Sequence, residues 1–290
     1  MKPSKGDKLF YTINYVVLGV LALTCVLPFL HIISVSLSER SSVESGHVFF
    51  WPVGFQLTAY EFFFTATPAI KSFINSVEIT IFGVVISMLG TTLAAYPLSR
   101  KYLMGRRFLT LAMVFTMLFA GGLIPTYLIV KSLSLIDTYW ALWLTGFIST
   151  YNMLLMRSYF ENIPQEIEEA AGIDGCSEWS LLGRIILPLS MPMLATIGLF
   201  YGVGYWNAFM SVLMYINTTS MQNLTVVVQA MMSSNDLLTS ATTDVVQQQM
   251  MVTEMIKSVA ITVMVIPMLV VYPFLQKYFV KGVMLGSIKG

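Results

Sequence analysis

The sequence predicts an all-α membrane protein of six transmembrane helices, folded as one domain over residues 1–290, with a cytoplasmic projection between the fourth and fifth spans. Three observations predict it: composition, the placement of charge-free runs and the sidedness of lysine and arginine. Of the 290 residues, 56% are apolar and only 11% are charged, whereas a soluble domain carries about 25% charged residues. The mean hydropathy of +0.75 leaves an apolar excess that has to face lipid. A net charge of +1 offers no bulk electrostatic basis for binding nucleic acid.

The charge-free runs locate the spans. Lys8 and Glu39 bracket one, and Arg107 and Lys131 another. Asp137 to Arg157, Arg184 to Asp236, and Lys257 to Lys277 enclose three more, and Ser72 to Ser99 is interrupted only by Glu78. A spanning helix needs about 20 apolar residues. Each run supplies them, which places spans at 11–35, 73–98, 108–130, 138–157, 188–214 and 258–278.

With the N-terminus inside, the cytoplasmic side holds Lys2, Lys5, Lys8, Arg100, Lys101, Arg106, Arg107, Arg157, Arg184, Lys277, Lys281 and Lys289. Only Arg40, Lys71, Lys131 and Lys257 fall outside. That distribution obeys the positive-inside rule and puts both termini in the cytoplasm. The first apolar run exceeds the 7–15 residues of a signal-peptide core, and no A-x-A site follows it. Cys25 lies mid-helix and Cys176 in a cytoplasmic loop, so the two do not pair and are read as small packing residues.

Between the first two spans, residues 38–70 form an external segment. Its run His47-Val48-Phe49-Phe50-Trp51-Pro52 suits an interfacial aromatic anchor, and Tyr60 to Phe64 suit a short amphipathic helix on the membrane surface. A second external segment, 217–255, is polar and carries Asp236, Asp244 and Glu254. Long loops of that kind are usually functional or disordered.

The cytoplasmic stretch 157–184 gathers Glu161, Glu166, Glu168, Glu169, Asp174 and Glu178. It reads as two short helices with a sharp bend. Asn162 is expected to N-cap the first, with Gln165 reaching back and Pro164 in the first turn. Glu166, Glu168 and Glu169 then sit at the positive end of the helix dipole. Gly172 and Asp174-Gly175 end that helix. A second helix, about 177–187, presents Trp179, Leu182, Ile185 and Ile186, and Pro188 leads into the fifth span. Such a knob suits docking against a partner, because Ala170 and Ala171 allow close backbone approach.

The pattern E-A-A, three residues, G, nine residues, I-x-L-P is met by Glu169, Ala170, Ala171, Gly175, Ile185, Leu187 and Pro188. It resembles the cytoplasmic signature of binding-protein-dependent ABC import permeases. Asp174-Gly175-Cys176 is similar to that family's usual D-G-A, with Cys176 in place of alanine. Gly204-Tyr205-Trp206-Asn207-Ala208-Phe209 and the C-terminal Gln276-Lys277-Tyr278-Phe279-Val280-Lys281-Gly282 resemble the carbohydrate-uptake branch, specifically the smaller of the two paired subunits of maltose-permease type. The resemblance implies that the knob is a coupling helix seated on a separate ATPase, with Glu169, Ala170, Ala171, Gly172, Asp174, Gly175, Ile185, Leu187 and Pro188 as its coupling residues. It implies as partners a second permease subunit, two ATPase subunits and an extracytoplasmic sugar-binding protein, and as substrate a sugar, with oligosaccharides favoured. It implies a multi-pass location in the bacterial plasma membrane.

No G-x-x-x-x-G-K-[ST] occurs, so ATP and Mg are expected on the partner ATPase and no cofactor on this chain. Glu78 is the sole acidic residue within an expected span and a candidate lining or gating group. Tyr201, Tyr205, Trp206 and Asn207 are candidates for lining a sugar path, since aromatic faces stack on sugar rings and amides bond hydroxyls. His31 and His47 make no ligand set. A secondary carrier would need buried charges along its path, and a membrane enzyme would need a clustered catalytic constellation. Glu78 alone answers the first requirement and nothing answers the second. On the six-span topology, reporter fusions after residues 45, 103, 134, 165, 235 and 285 alternate out, in, out, in, out, in. An external C-terminal reporter would overturn the topology.

Overall fold

The computed structural model describes residues 5–238, 254–273 and 276, and the described residues are helical with no strand. Three continuous helices are long and apolar enough to cross a membrane: α1 (Lys5–Ser36), α4 (Ala69–Ser99) and Glu254–Pro273, here α15. Two further crossings are available only as bent pairs. In the first, α5 (Arg106–Leu118) and α6 (Leu123–Ser132) meet at 111°. In the second, the helix Glu178–Leu189 meets α12 (Met191–Trp206) at 83°.

The expected spans therefore need correction at three places. The run 108–130 is interrupted after Leu118, where the chain turns through Gly122 at φ +85°. The run 138–157 is two short helices, α7 (Tyr139–Thr145) and α8 (Thr150–Glu161), separated at Gly146 to Ser149. The run 188–214 bends at Ser190, ends as α12 at Trp206 and resumes as α13 (Met210–Tyr215). Pro188 and Pro192 flank the Ser190 bend and remove two backbone donors there. Just before it, Leu182–Ile186 forms a π turn, a common partner of helix distortion.

The chain divides into two compact units. The first contains residues up to Ala69 together with 228–266. In it, the outer end of α1 is stitched to the following segment. The Ser38 hydroxyl donates to Ser34 O at 2.6 Å and accepts from Val53 N–H at 3.0 Å. Gln56 N–H donates to Leu37 O at 3.0 Å, and Ser36 shares a hydrogen bond with Tyr60 on α3 (Thr58–Ala66). These bonds hold Phe49, Trp51 and Phe55 outward, Trp51 at 82% exposure, as an interfacial anchor requires. None of the most apolar window of α1 is buried, so its sides face lipid or other chains.

The second unit, residues 70–227 with 267 onward, holds the main core. Ile79 and Tyr96 from α4, Trp143 from α7, Met153, Met156 and Phe160 from α8, Ile186, and Ile197, Tyr201 and Tyr205 from α12 are buried in it. Polar bonds knit these helices. Ser87 on α4 donates to Gly146 O at 3.1 Å and is bonded to the Tyr205 hydroxyl at 2.8 Å. Tyr201 is bonded to Thr91 at 2.6 Å and accepts from Ser149 N–H at 2.9 Å. Tyr205 lies so close to α4 and to the α7–α8 break that a β-carbon at Gly83 or Gly146 would come within 2.7 Å or 2.6 Å of it. Glycine is required at both positions. The α7–α8 break is the structural counterpart of that packing.

The polar segment 217–255 is loop with a short 3-10 turn only as far as Asn223. Leu224–Leu238 forms α14, capped by Asn223, whose side chain accepts from Val226 N–H at 3.1 Å. The run Leu224 to Val228 is apolar and buried apart from partly buried Thr225, which is why the segment folds. Asp244 and the C-terminal motif from Lys277 lie outside the described residues.

The turn entering α7 depends on Asp137. Its carboxylate accepts from Asn217 N–H at 2.9 Å, Thr218 N–H at 2.8 Å and the Thr218 hydroxyl at 2.6 Å. Those donors, the Thr218 hydroxyl foremost, hold the carboxyl below its ordinary pKa. The ionised form is thus favoured in the fold, and its contribution is complete above the ordinary carboxylate pKa and lost as pH falls through the lowered value. Asp137→Ala is expected to lower the thermal midpoint of the purified complex at neutral pH, and the gap to wild type should close on acidification. A gap that widened at low pH would contradict this.

Candidate functional site

The stretch 162–189 forms a two-helix projection. Its first helix, α9, runs Gln165–Ile173 with Pro164 at the N-cap. Asn162 does not N-cap it, contrary to expectation. It closes α8 instead, its amide donating to Ser158 O at 2.7 Å. Proline at 164 already starts α9 with a fixed φ, leaving Asn162 two residues too far back. Gln165 reaches forward to Glu169 at 3.0 Å rather than back. Asp174 C-caps α9 and Gly175 turns the chain at φ +75°, in the left-handed region that favours glycine. The second arm begins at Ser177, whose side chain accepts from Ser180 N–H, and comprises α10 (Glu178–Leu181), the π turn and α11 (Leu187–Leu189).

The signature residues separate into two sets. Glu169, Ala170, Gly172, Asp174 and Gly175 are exposed along the tip, with Ile173 beside them at 88% exposure. Ala171 is buried beneath them, and Ile185 and Leu187 pack against the core around fully buried Ile186. Pro188 is exposed at the base. The tip is exposed and the base is anchored.

Sequence reasoning missed the anchors. Each arm of the projection contributes one acid to the C-terminal end of α4 and the residues just past it. Glu168 pairs with Arg100, which is 6% exposed and lies 4.4 Å over the Tyr96 ring. Glu178 accepts from Tyr96 at 2.7 Å and from Tyr102 at 2.9 Å. Partial burial and the neighbouring Glu178 carboxylate push the Tyr102 phenol pKa up, which keeps it a proton donor. A second set, Arg106 and Arg157 on Glu161, ties α5 to α8, with Arg157 also donating to Thr110 at 2.7 Å. The i,i+4 spacing of Tyr96 and Arg100 was visible in the sequence, but their partners lie 68 and more residues away.

The remaining candidates fall on and around a groove. Tyr201 and Tyr205 line a cavity of about 560 Å³ at the α7–α8 break, together with Thr145, Ser149, Tyr151, Asn152, Phe200 and Ser211. Asn207 lines an adjoining cavity of about 610 Å³ that shares Thr145, Gly204, Ala208 and Ser211 with the first. Trp206 packs edge-on against Phe73 and borders neither. Glu78 is partly buried on α4 and also borders neither.

Apolar crossings, some of them broken, a polar and aromatic groove at a break, and an exposed but anchored projection define a membrane permease subunit rather than an enzyme. Residues 86–285 match the family described as "Binding-protein-dependent transport system inner membrane component", and the chain belongs to that family. It is 41% identical over 284 residues to the "Polygalacturonan/rhamnogalacturonan transport system permease protein YtcP" of Bacillus subtilis (strain 168), covering 98% of this chain and 99% of that one. It is 40% identical over 290 residues to "Protein LplC" of the same organism, covering 100% and 98%. Among solved structures it is similar to a chain of a bacterial ABC transporter involved in the import of the acidic polysaccharide alginate. The TM-score is 0.84 at 32% identity, over 95% of this chain and 98% of that one.

The Arg100–Glu168 pair is testable by a double-mutant cycle on thermal stability with Arg100→Gln and Glu168→Gln. Because the pair is largely buried, the interaction energy is expected in the range of about 0.5–3 kcal/mol. Strict additivity of the two single changes would show that the pair does not hold the projection.

Proposed function

We propose that this chain is the smaller transmembrane subunit of an ATP-driven, binding-protein-dependent importer of oligosaccharides. It forms half of the translocation pathway in the bacterial plasma membrane, with six crossings and both termini cytoplasmic. A second permease subunit supplies the other half. Two ATPase subunits hold the ATP and Mg, and one of them docks on the projection through Glu169, Ala170, Ala171, Gly172, Asp174 and Gly175. Ile185, Leu187 and Pro188 join it to α12. An extracytoplasmic binding protein delivers the sugar.

The observation that carries this reading is the E-A-A…G…I-x-L-P array, folded so that its tip is exposed while its two arms are bonded to α4 through Arg100, Tyr96 and Tyr102. A projection anchored in this way moves as a rigid body. Force applied at the tip reaches α4 without being absorbed in the loop, as two-state domain rearrangements require. The substrate class is supported by what the relatives are named for: polygalacturonan and rhamnogalacturonan in one, arabinooligosaccharides in another at 26% identity.

The test is reconstitution of the full complex in proteoliposomes with its binding protein. Uptake of oligosaccharide is expected to require ATP and the binding protein together. Gly175→Asp is expected to abolish sugar-stimulated ATP hydrolysis while the complex still assembles, because a side chain at the tip would clash with the docked ATPase and strain a positive φ. Uptake without the binding protein, or normal stimulation in the Gly175→Asp complex, would overturn the reading.

A further inference from the structure

We propose that the groove at the α7–α8 break is a carbohydrate subsite on this subunit, with Asn152 as its polar anchor and Tyr151 and Phe200 as its stacking wall. The inference rests on the oligosaccharide reading above and adds the site.

Asn152 is the observation that points to a ligand. The residue is only 6% exposed and borders the groove. Its backbone N–H is bonded to the Ser149 hydroxyl at 3.4 Å, yet its side-chain amide has no hydrogen-bond partner among the described residues. The amide atoms are not sealed off but keep access to the groove, where they offer two donors and an acceptor to an occupant. A sugar offers vicinal hydroxyls that donate and accept at the spacing of an amide, so one ring satisfies both ends of Asn152.

The walls fit the same ligand. The Tyr151 and Phe200 rings stand 6.5 Å apart at 38°, forming an open wedge with apolar faces. The Tyr201 and Tyr205 hydroxyls are already bonded to Thr91, Ser149 and Ser87, so those residues offer ring faces rather than hydrogen bonds. Sugar rings present both kinds of surface, C–H faces and hydroxyl edges. No charged side chain lines the groove, which argues against an ion-coupling site. Its volume of about 560 Å³ falls within the range of about 300–1,000 Å³ usual for small-molecule sites.

The backbone gives an independent argument. Between Gly146 and Ser149 the chain is not helical, although the flanking sequence is apolar enough to have been read as one span. Non-helical backbone at membrane depth is tolerated where it is buried in protein or lines a watered cavity, and broken helices of this kind commonly build transport sites. Here the break opens onto the groove through Gly146 and Ser149.

The experiment uses the whole reconstituted complex with its binding protein, and galacturonate and neutral galactose trisaccharides as probes. Sugar imported and ATP hydrolysed are measured together. Hydrolysis is triggered by the loaded binding protein, so loss of a retaining subsite lets sugar slip back outward and lowers the sugar moved per ATP. Asn152→Leu is expected to lower that ratio about tenfold, the equivalent of about 1.4 kcal/mol, for whichever probe the wild-type complex imports. If Asn152→Leu fails to assemble, Tyr151→Leu, at a position 57% exposed, decides the matter by the same ratio. An unchanged ratio, or a parallel fall in uptake and hydrolysis, would overturn the subsite while leaving the importer reading intact. Failure of the wild-type complex to import either trisaccharide would overturn the carbohydrate premise, and the subsite with it.

Discussion

The arrangement of the second unit depends on two tyrosine hydroxyls on α12 bonded to α4. Tyr201 meets Thr91, and Tyr205 meets Ser87, whose own hydroxyl donates a hydrogen bond to the Gly146 carbonyl. In an apolar surround, helices gain little from hydrophobic contact with one another, because lipid is as apolar as a neighbouring helix. Interhelical hydrogen bonds and close packing have to specify the register instead. Tyr205 does both, since its ring occupies the space that a side chain at Gly83 or Gly146 would need.

That packing links the two functional regions. Because Tyr205 and Tyr201 hold the α7–α8 break, the backbone there is satisfied by a phenol and a serine rather than by a helical turn. The groove exists because the helix does not continue. At the other end of α4, Arg100, Tyr96 and Tyr102 hold both arms of the projection through one acid on each. The same helix and the residues just past its end thus carry the bonds that shape the groove and those that anchor the projection. In the proposed importer, a displacement of the projection acts on that end of α4, which is the route by which the ATPase is coupled to the pathway.

Much of this was legible in the residue order. The runs around α1, α4 and α15 were long and apolar, and they fold as continuous helices even though each contains a proline, Pro28, Pro97 and Pro267. Glu169 to Pro188 announced two helices and a bend, because proline, serine and glycine at 164, 177 and 175 act locally on φ and on capping. Asn162 was misread because two capping residues competed within three positions and proline prevailed. The spans at 108–130, 138–157 and 188–214 were drawn as single helices, since hydropathy averages over a window and does not register a turn at Gly122 or a bend at Ser190. Asn152 gave no signal at all, being one polar residue in a mixed helix.

Composition and the short-range signature therefore determined by themselves that the chain is a helical membrane permease with a two-helix projection, because those properties act through neighbours in sequence or through lipid. Only the tertiary structure decided where helices break, which acid meets which base and which amide is left facing a groove. Each of those rests on groups far apart in the chain, Tyr205 against Gly83, Arg100 against Glu168, Tyr201 against Ser149. Their meeting depends on packing that no local pattern encodes.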